Sequence, residues 1–147
     1  MADEQPDHRM TDARVFPARA SALPAVAAFI AATSARAGIP PGSCQKLTLL
    51  VEELFTNTVV HGHRRDSDEP VRVQLEVGPG QIALTYEDTA PPHNPFGDIQ
   101  RPDETASVED RLVGGLGVLL VATLAPDAEY RRTEGKNRIH LVMPIPN

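Results

Sequence analysis

Two runs of alternating residues, Val71-Arg-Val-Gln-Leu-Glu-Val77 and Gln81-Ile-Ala-Leu-Thr-Tyr-Glu87, are joined by Gly78-Pro-Gly80. Alternation at period two is the pattern of a strand buried on one face, and the Gly-Pro-Gly link reads as a tight hairpin. A hairpin with one apolar face is marginal alone, so other elements must cover it. Two upstream segments carry helical periodicity. In 22–37 the apolar set Leu23, Val26, Ala27, Ile30 and Ala31 recurs on one stripe, Ser21 stands as an N-cap, and Gly38 with Pro40-Pro41 ends the helix. In 43–60 the buried side is Leu47, Leu50, Val51, Leu54, Thr58 and Val59, with Gly62 as the stop. Further strands fall at 12–17, 128–132 and 137–143, the last two separated by Glu134-Gly-Lys136. The pattern predicts an α/β two-layer sandwich, helices on one face of a mixed, mostly antiparallel sheet, as one domain over 12–147 behind a mobile tail at 1–11.

At 147 residues, with 41% hydrophobic and 23% charged residues, the chain can bury a core without staples. Twenty acidic against fourteen basic residues give a net charge of -6, which repels a phosphate backbone or an anionic membrane surface. Four Phe, two Tyr and no Trp leave no ladder of rings for single-stranded bases. No nucleic acid and no membrane are therefore expected as partners. The single cysteine, Cys44, excludes an internal disulfide and reads as a buried structural thiol. The acidic start lacks the pattern of a secretory signal, and the apolar stretch 22–32 falls short of the roughly 20 residues that span a bilayer. A cytoplasmic protein is expected.

Glu53, Asn57 and His61 fall at steps of four on the second helix, with Lys46 two turns before Glu53. An amide oxygen is a hard ligand suited to Mg²⁺, and a carboxylate one turn away can take a proton from a hydroxyl or water. The same residues also suit a solvated helix face. Asp88 ends a strand where the chain enters Thr89-Ala-Pro-Pro92, and there it can accept a hydrogen bond from an exocyclic amine or simply bond its own turn. Segment 98–111 is acidic and poor in apolar residues, a surface loop or lid. Gly114-Gly-Leu-Gly117 opens an apolar helix at 118–124, where backbone N–H groups can approach an anion. The five histidines show neither HExxH nor Cys/His spacing, and no Ser lies in a Gly-x-Ser-x-Gly elbow, so zinc and hydrolase chemistry are set aside.

Taken in order, these segments resemble the Bergerat-fold (GHKL) ATP-binding family. Within it they are most similar to the anti-sigma-factor serine/threonine kinases of bacterial partner-switching systems, the RsbW and SpoIIAB type. Glu52-Glu-Leu-Phe-Thr-Asn-Thr-Val-Val-His-Gly62 resembles the N-box, and Glu87-Asp-Thr-Ala-Pro-Pro-His-Asn-Pro-Phe96 the Asp-x-Gly-x-Pro-Phe-Asp-Pro box. Gly114-Gly-Leu-Gly-Val-Leu-Leu-Val121 resembles the glycine box, and Glu134-Gly-Lys-Asn-Arg-Ile-His-Leu141 the closing strand. The resemblance implies Mg-ATP as ligand, with Asn57 holding Mg²⁺, Glu53 the general base and Asp88 the acceptor of the adenine amino group. It places His61, Ala90 and Pro92 beside the nucleotide, and the backbone of Gly114, Gly115, Leu116 and Gly117 around the phosphates. The implied reaction moves the γ-phosphate to a Ser or Thr of a STAS-domain antagonist. A sigma factor or other regulator is the implied second target, and the protein a homodimer. A module that binds ATP without transferring it is the alternative.

Four positions depart from the pattern. Ala90 stands where the family has Gly, His93 and Asn94 replace a Phe and an Asp, and Arg138 stands where the wider family often has a Thr near the adenine.

Overall fold

The computed structural model describes residues 10–95 and 127–146. Of the tail expected at 1–11, residues 10 and 11 belong to the first strand and the rest lies outside the described residues, as do the lid at 98–111, the glycine-rich turn at 114–117 and the helix at 118–124.

Five strands form one sheet: β1 (Met10–Pro17), β2 (Pro70–Gly78), β3 (Gln81–Asp88), β4 (Glu129–Thr133) and β5 (Lys136–Pro144), in the order β1-β2-β3-β5-β4. Every described pairing is antiparallel, in keeping with the mixed, mostly antiparallel sheet expected. The central hairpin closes through Pro79 and Gly80, with Gly78 opposite Gln81 and Gly80 at φ 74°. Proline at the second turn position and a left-handed glycine at the third match a type II turn. The β4–β5 turn places Glu134 and Gly135 at φ 51° and 75°, and two successive positive φ values twist the chain as the flanking strands require.

Two helices, α1 (Leu23–Ala37) and α2 (Pro41–Asn57), cover one face of the sheet. That face carries Val71, Val73, Leu75 and Val77 of β2, Ile82, Leu84 and Tyr86 of β3, and Ile139, Leu141 and Met143 of β5, all buried. Each large apolar side chain so removed from water contributes roughly 1.5–3 kcal/mol. From α2 the core receives Leu47, Leu50, Val51 and Leu54, as the sequence predicts, and Phe55 as well.

Helix α1 differs in its face. Val26, Phe29, Ile30 and Thr33 are buried, whereas Ala31 is exposed and Ala27 only half-buried. Thr33 Oγ1 donates to Asp12 Oδ2 of β1 at 2.9 Å, and Arg36 pairs with the same carboxylate, which turns this face toward the sheet edge. Ser21 lies in a short 3-10 turn and caps nothing; Pro24 occupies the first turn of α1 instead. Gly38, at φ 70°, ends the helix with its N–H and that of Ile39 returning to the last carbonyls. Segment Ala20–Ala37 is long and apolar enough to pass for a membrane span, but Val26, Phe29 and Ile30 seat it in the core.

Candidate functional site

Helix α2 does not run on to residue 60. It ends at Asn57, and Thr58–His63 form a turn of π-helix closed by Arg64 at φ 63°. Such wide turns accommodate side chains that must meet a neighbouring element, and they recur at functional sites. Here the neighbour is the end of β3. Thr58 Oγ1 donates to Asp88 Oδ2 at 2.7 Å and lies 2.6 Å from the Tyr86 hydroxyl, all three groups being buried. A threonine hydroxyl has one hydrogen, and although the Leu54 carbonyl also lies 3.1 Å away, the ionised carboxylate at 2.7 Å is the shorter and stronger acceptor, so Tyr86 is the donor to Thr58. The order is therefore Tyr86 O–H to Thr58 O–H to the Asp88 carboxylate.

Three further donors meet Asp88, which is 2% exposed. The Ala90 N–H reaches Oδ1 at 3.1 Å, Asn137 Nδ2 reaches Oδ1 at 2.8 Å, and His93 Nε2 lies 3.3 Å from Oδ2. Burial pushes the Asp88 carboxyl up, but the hydrogen bonds from His93, Asn137 and Thr58 outweigh it and hold the group below its ordinary value. Burial drives the Tyr86 hydroxyl well above its usual range, partly opposed by the Thr58 bond and aided by the negative charge of Asp88, so Tyr86 stays a donor.

Asn137 ties the loop after β3 to β5. Its Nδ2 also faces the carbonyls of Ala90 (3.1 Å) and Pro91 (3.2 Å), and its Oδ1 accepts from the Tyr130 hydroxyl and from the His93 N–H at 3.3 Å. Arg132 adds a 2.8 Å bond to the Ala90 carbonyl. Sequence reasoning assigned no role to Thr58, Tyr86 or Asn137 at this site. The signal for Asn137 was strand alternation: Asp88 pairs with Asn137 and Glu87 with Arg138, so the two pairs project from opposite faces. Arg138 accordingly bonds Glu87 on the face away from the helices, and it does not approach Asp88.

The remaining expected residues divide between those the structure joins to this cluster and those it leaves apart. Ala90 is fully buried and takes no positive φ, which belongs among described non-glycine residues to Arg64 and Glu134. Gly62 abuts it: a Cβ there would lie 2.9 Å from Ala90 Cβ and 2.9 Å from His93 Nε2. The glycine lets the π turn touch the loop, beyond merely stopping the helix. Glu53 and Asn57 are half-buried on successive turns of α2, adjoining the cluster through Thr58. Asn57 Nδ2 is buried without a partner among the described residues. His61, on the π turn, is exposed, because the wider turn breaks the four-residue register with Asn57; Pro92 is exposed too. Gly114, Gly115, Leu116 and Gly117 lie outside the described residues. Among those described, no group of three His, Cys, Asp or Glu side chains is placed to hold a metal alone. The atom of Asn57 that suits Mg²⁺ is the amide oxygen, not the partnerless nitrogen, and that ion takes few protein ligands and completes its shell with phosphate and water.

A sequence model of the family described as histidine kinase-like ATPase domain matches residues 16–143. No curated protein matches the chain. Among solved structures, that of the RsbU and RsbW domains of Rv1364c from Mycobacterium tuberculosis has a similar fold, with a TM-score of 0.65 and 15% identity over 92% of this chain. The chain spans 32% of that structure's length. The catalytic domain of histidine kinase ThkA is similar at a TM-score of 0.51 and 10% identity, over 91% of this chain and 97% of that one. At these identities the likeness is one of fold.

Proposed function

The chain belongs to the histidine kinase-like ATPase domain family, and from that premise we propose that it is an ATP-dependent serine/threonine kinase of a bacterial partner-switching system, acting in the cytoplasm on a STAS-domain antagonist. Residues 12–147 act as one domain. The observation that carries this reading is the buried Asp88, with its carboxylate prearranged next to the turn that follows Asn57. A buried carboxylate held ionised by its donors can accept from an exocyclic amine once one of those donors gives way, and the amino group of adenine supplies such an amine. The segments around Glu53, Asp88 and Gly114, which resemble the boxes of the RsbW type, support the choice of partner-switching over other members of the family.

Asn57 is the residue that would hold Mg²⁺, which when bound neutralises charge on the phosphates. The Ser or Thr hydroxyl oxygen attacks the γ-phosphorus, the bond from that phosphorus to the ADP oxygen breaks, and the hydroxyl proton passes to the Glu53 carboxylate. Positioning supplies much of the rate, because the hydroxyl and the γ-phosphate meet as parts of one complex. His61, Ala90 and Pro92 flank the nucleotide, and the backbone of Gly114, Gly115, Leu116 and Gly117 surrounds its phosphates. The unphosphorylated antagonist captures the kinase, and its phosphorylation frees the kinase, as a homodimer, for a sigma factor or another regulator.

The test is incubation with γ-labelled ATP, Mg²⁺ and a STAS-domain protein, followed by detection of label on a Ser or Thr. Label on the antagonist that disappears with Glu53→Gln bears the reading out. Nucleotide binding without any transfer across a panel of such antagonists would instead mark a nucleotide-gated binding module.

A further inference from the structure

Asp88 has no acceptor position to spare. A carboxylate offers about four lone-pair sites, and in this structure four donors meet them: Ala90 N–H and Asn137 Nδ2 on Oδ1, Thr58 Oγ1 and His93 Nε2 on Oδ2. An incoming amine must therefore displace one donor. Ala90 N–H belongs to the backbone of the turn itself. Thr58 is fully buried and receives the Tyr86 hydroxyl, and Asn137 Nδ2 shares its second hydrogen between two loop carbonyls. His93 differs from these three. Its bond is the longest at 3.3 Å, and its side chain, 17% exposed, is the one most open to solvent.

The shape of the slot agrees. The imidazole lies against the bare Cα of Gly62, where a Cβ would come within 2.9 Å of Nε2 and 3.3 Å of Cδ2. A flat heteroaromatic ring thus presents an N–H edge to Asp88 beside a glycine. An aminopurine would present the same kind of edge. From this juxtaposition we infer that His93 occupies the base subsite of the free protein as an internal stand-in for the nucleotide, and that ATP or ADP binds by displacing it. The inference rests on the reading of Asp88 as the adenine acceptor. It adds that His93 sets the nucleotide affinity by competing for that acceptor. The Phe of the family pattern at this position has no donor with which to compete.

Free energy spent on the internal bond is withheld from the ligand, so His93→Ala should bind ADP about tenfold more tightly than wild type, equivalent to about 1.4 kcal/mol. The same loss appears with opposite sign in the free protein, whose melting temperature falls while the shift produced by ADP grows. His93→Phe keeps an aromatic ring, deletes the donor and serves if the alanine variant folds poorly. Titration calorimetry with ADP on the full chain measures the affinities, and ¹⁵N-imidazole NMR of wild type follows His93 directly. Tighter binding in either variant, together with a His93 resonance that moves to a solvent-exposed position as ADP is added, supports the inference. ADP binding seen in a variant alone supports it too. Equal or weaker binding in both folded variants, or an unmoved resonance in an ADP-bound wild type, overturns it and leaves the nucleotide reading standing. Absence of ADP binding in wild type and both variants overturns the nucleotide reading itself.

Discussion

Replacing Thr58 with Val keeps the branching and nearly the volume of the side chain and deletes one hydroxyl. That hydroxyl does two things: it donates to the buried Asp88 carboxylate at 2.7 Å and accepts from the buried Tyr86 hydroxyl at 2.6 Å. A hydrogen bond to a charged group contributes about 1.5–3 kcal/mol, and a buried donor left without an acceptor costs about 1–3 kcal/mol. Thr58→Val should therefore lose about 3–5 kcal/mol, a large share of the ~5–15 kcal/mol that holds a typical domain. Urea unfolding at neutral pH measures the loss as a shift in midpoint. Thr58→Ser, which keeps the hydroxyl, should restore most of it. The order of donors makes a sharper test. Tyr86→Phe alone should cost only about 1 kcal/mol, because Thr58 still donates to Asp88. Added to Thr58→Val it should cost nothing further, because it removes the orphaned hydroxyl. The pH dependence has a fixed sign: the folded-state pKa of Asp88 is lowered, so its stabilisation is present above the ordinary carboxylate range and disappears as pH falls through the folded value. The gap between wild type and Thr58→Val should narrow in that acid window. A loss under 1 kcal/mol at neutral pH, or additive costs in the double variant, would refute the ordered chain.

Glu53→Gln keeps the shape but cannot take a proton, so single-turnover phosphotransfer should fall about 10² to 10⁴ fold with nucleotide affinity unchanged by calorimetry. Asn57→Ala removes a side chain whose Nδ2 has no partner among the described residues; the melting temperature of the free protein should hold within a few degrees while Mg²⁺-dependent ATP affinity drops. Gly62→Ala forces a methyl to 2.9 Å from Ala90 Cβ and His93 Nε2; chemical denaturation should show a loss of about 1–3 kcal/mol, and Ala90→Gly should recover part of it.

What the sequence made legible was local. The hairpin, the two positive-φ turns and the inner face of α2 follow from alternation, helical spacing and turn residues, each readable within a few positions. The expected stripe of α1 holds at Val26 and Ile30 and fails at Ala31, because alanine suits either face. Phe29 and Thr33 are turned inward by contacts that no local pattern encodes, such as the bond from Thr33 to Asp12 in another strand. The π turn was also out of reach. Thr58-Val-Val-His-Gly-His63 continues a helical pattern, and its widening answers Asp88, thirty positions along the chain. Asn137 needed the register of β5 to one residue, since a slip of one exchanges its face with that of Arg138.

Ala90 shows how the structure alters the weight of a sequence departure. Where the family pattern has Gly, a methyl at this position raises the expectation that the turn stands further from the base. The methyl is fully buried and points at Gly62, into the space that a glycine without Cβ leaves open. Its backbone takes no positive φ, so alanine causes no strain in the turn. The loop is then fixed from outside the cleft by Asn137 and Arg132 on the carbonyl of Ala90 itself. A methyl seated against Gly62 without backbone strain leaves the turn where a glycine would leave it, so the departure that bears more on affinity is His93, three residues further on, where a ring with a donor replaces a ring without one.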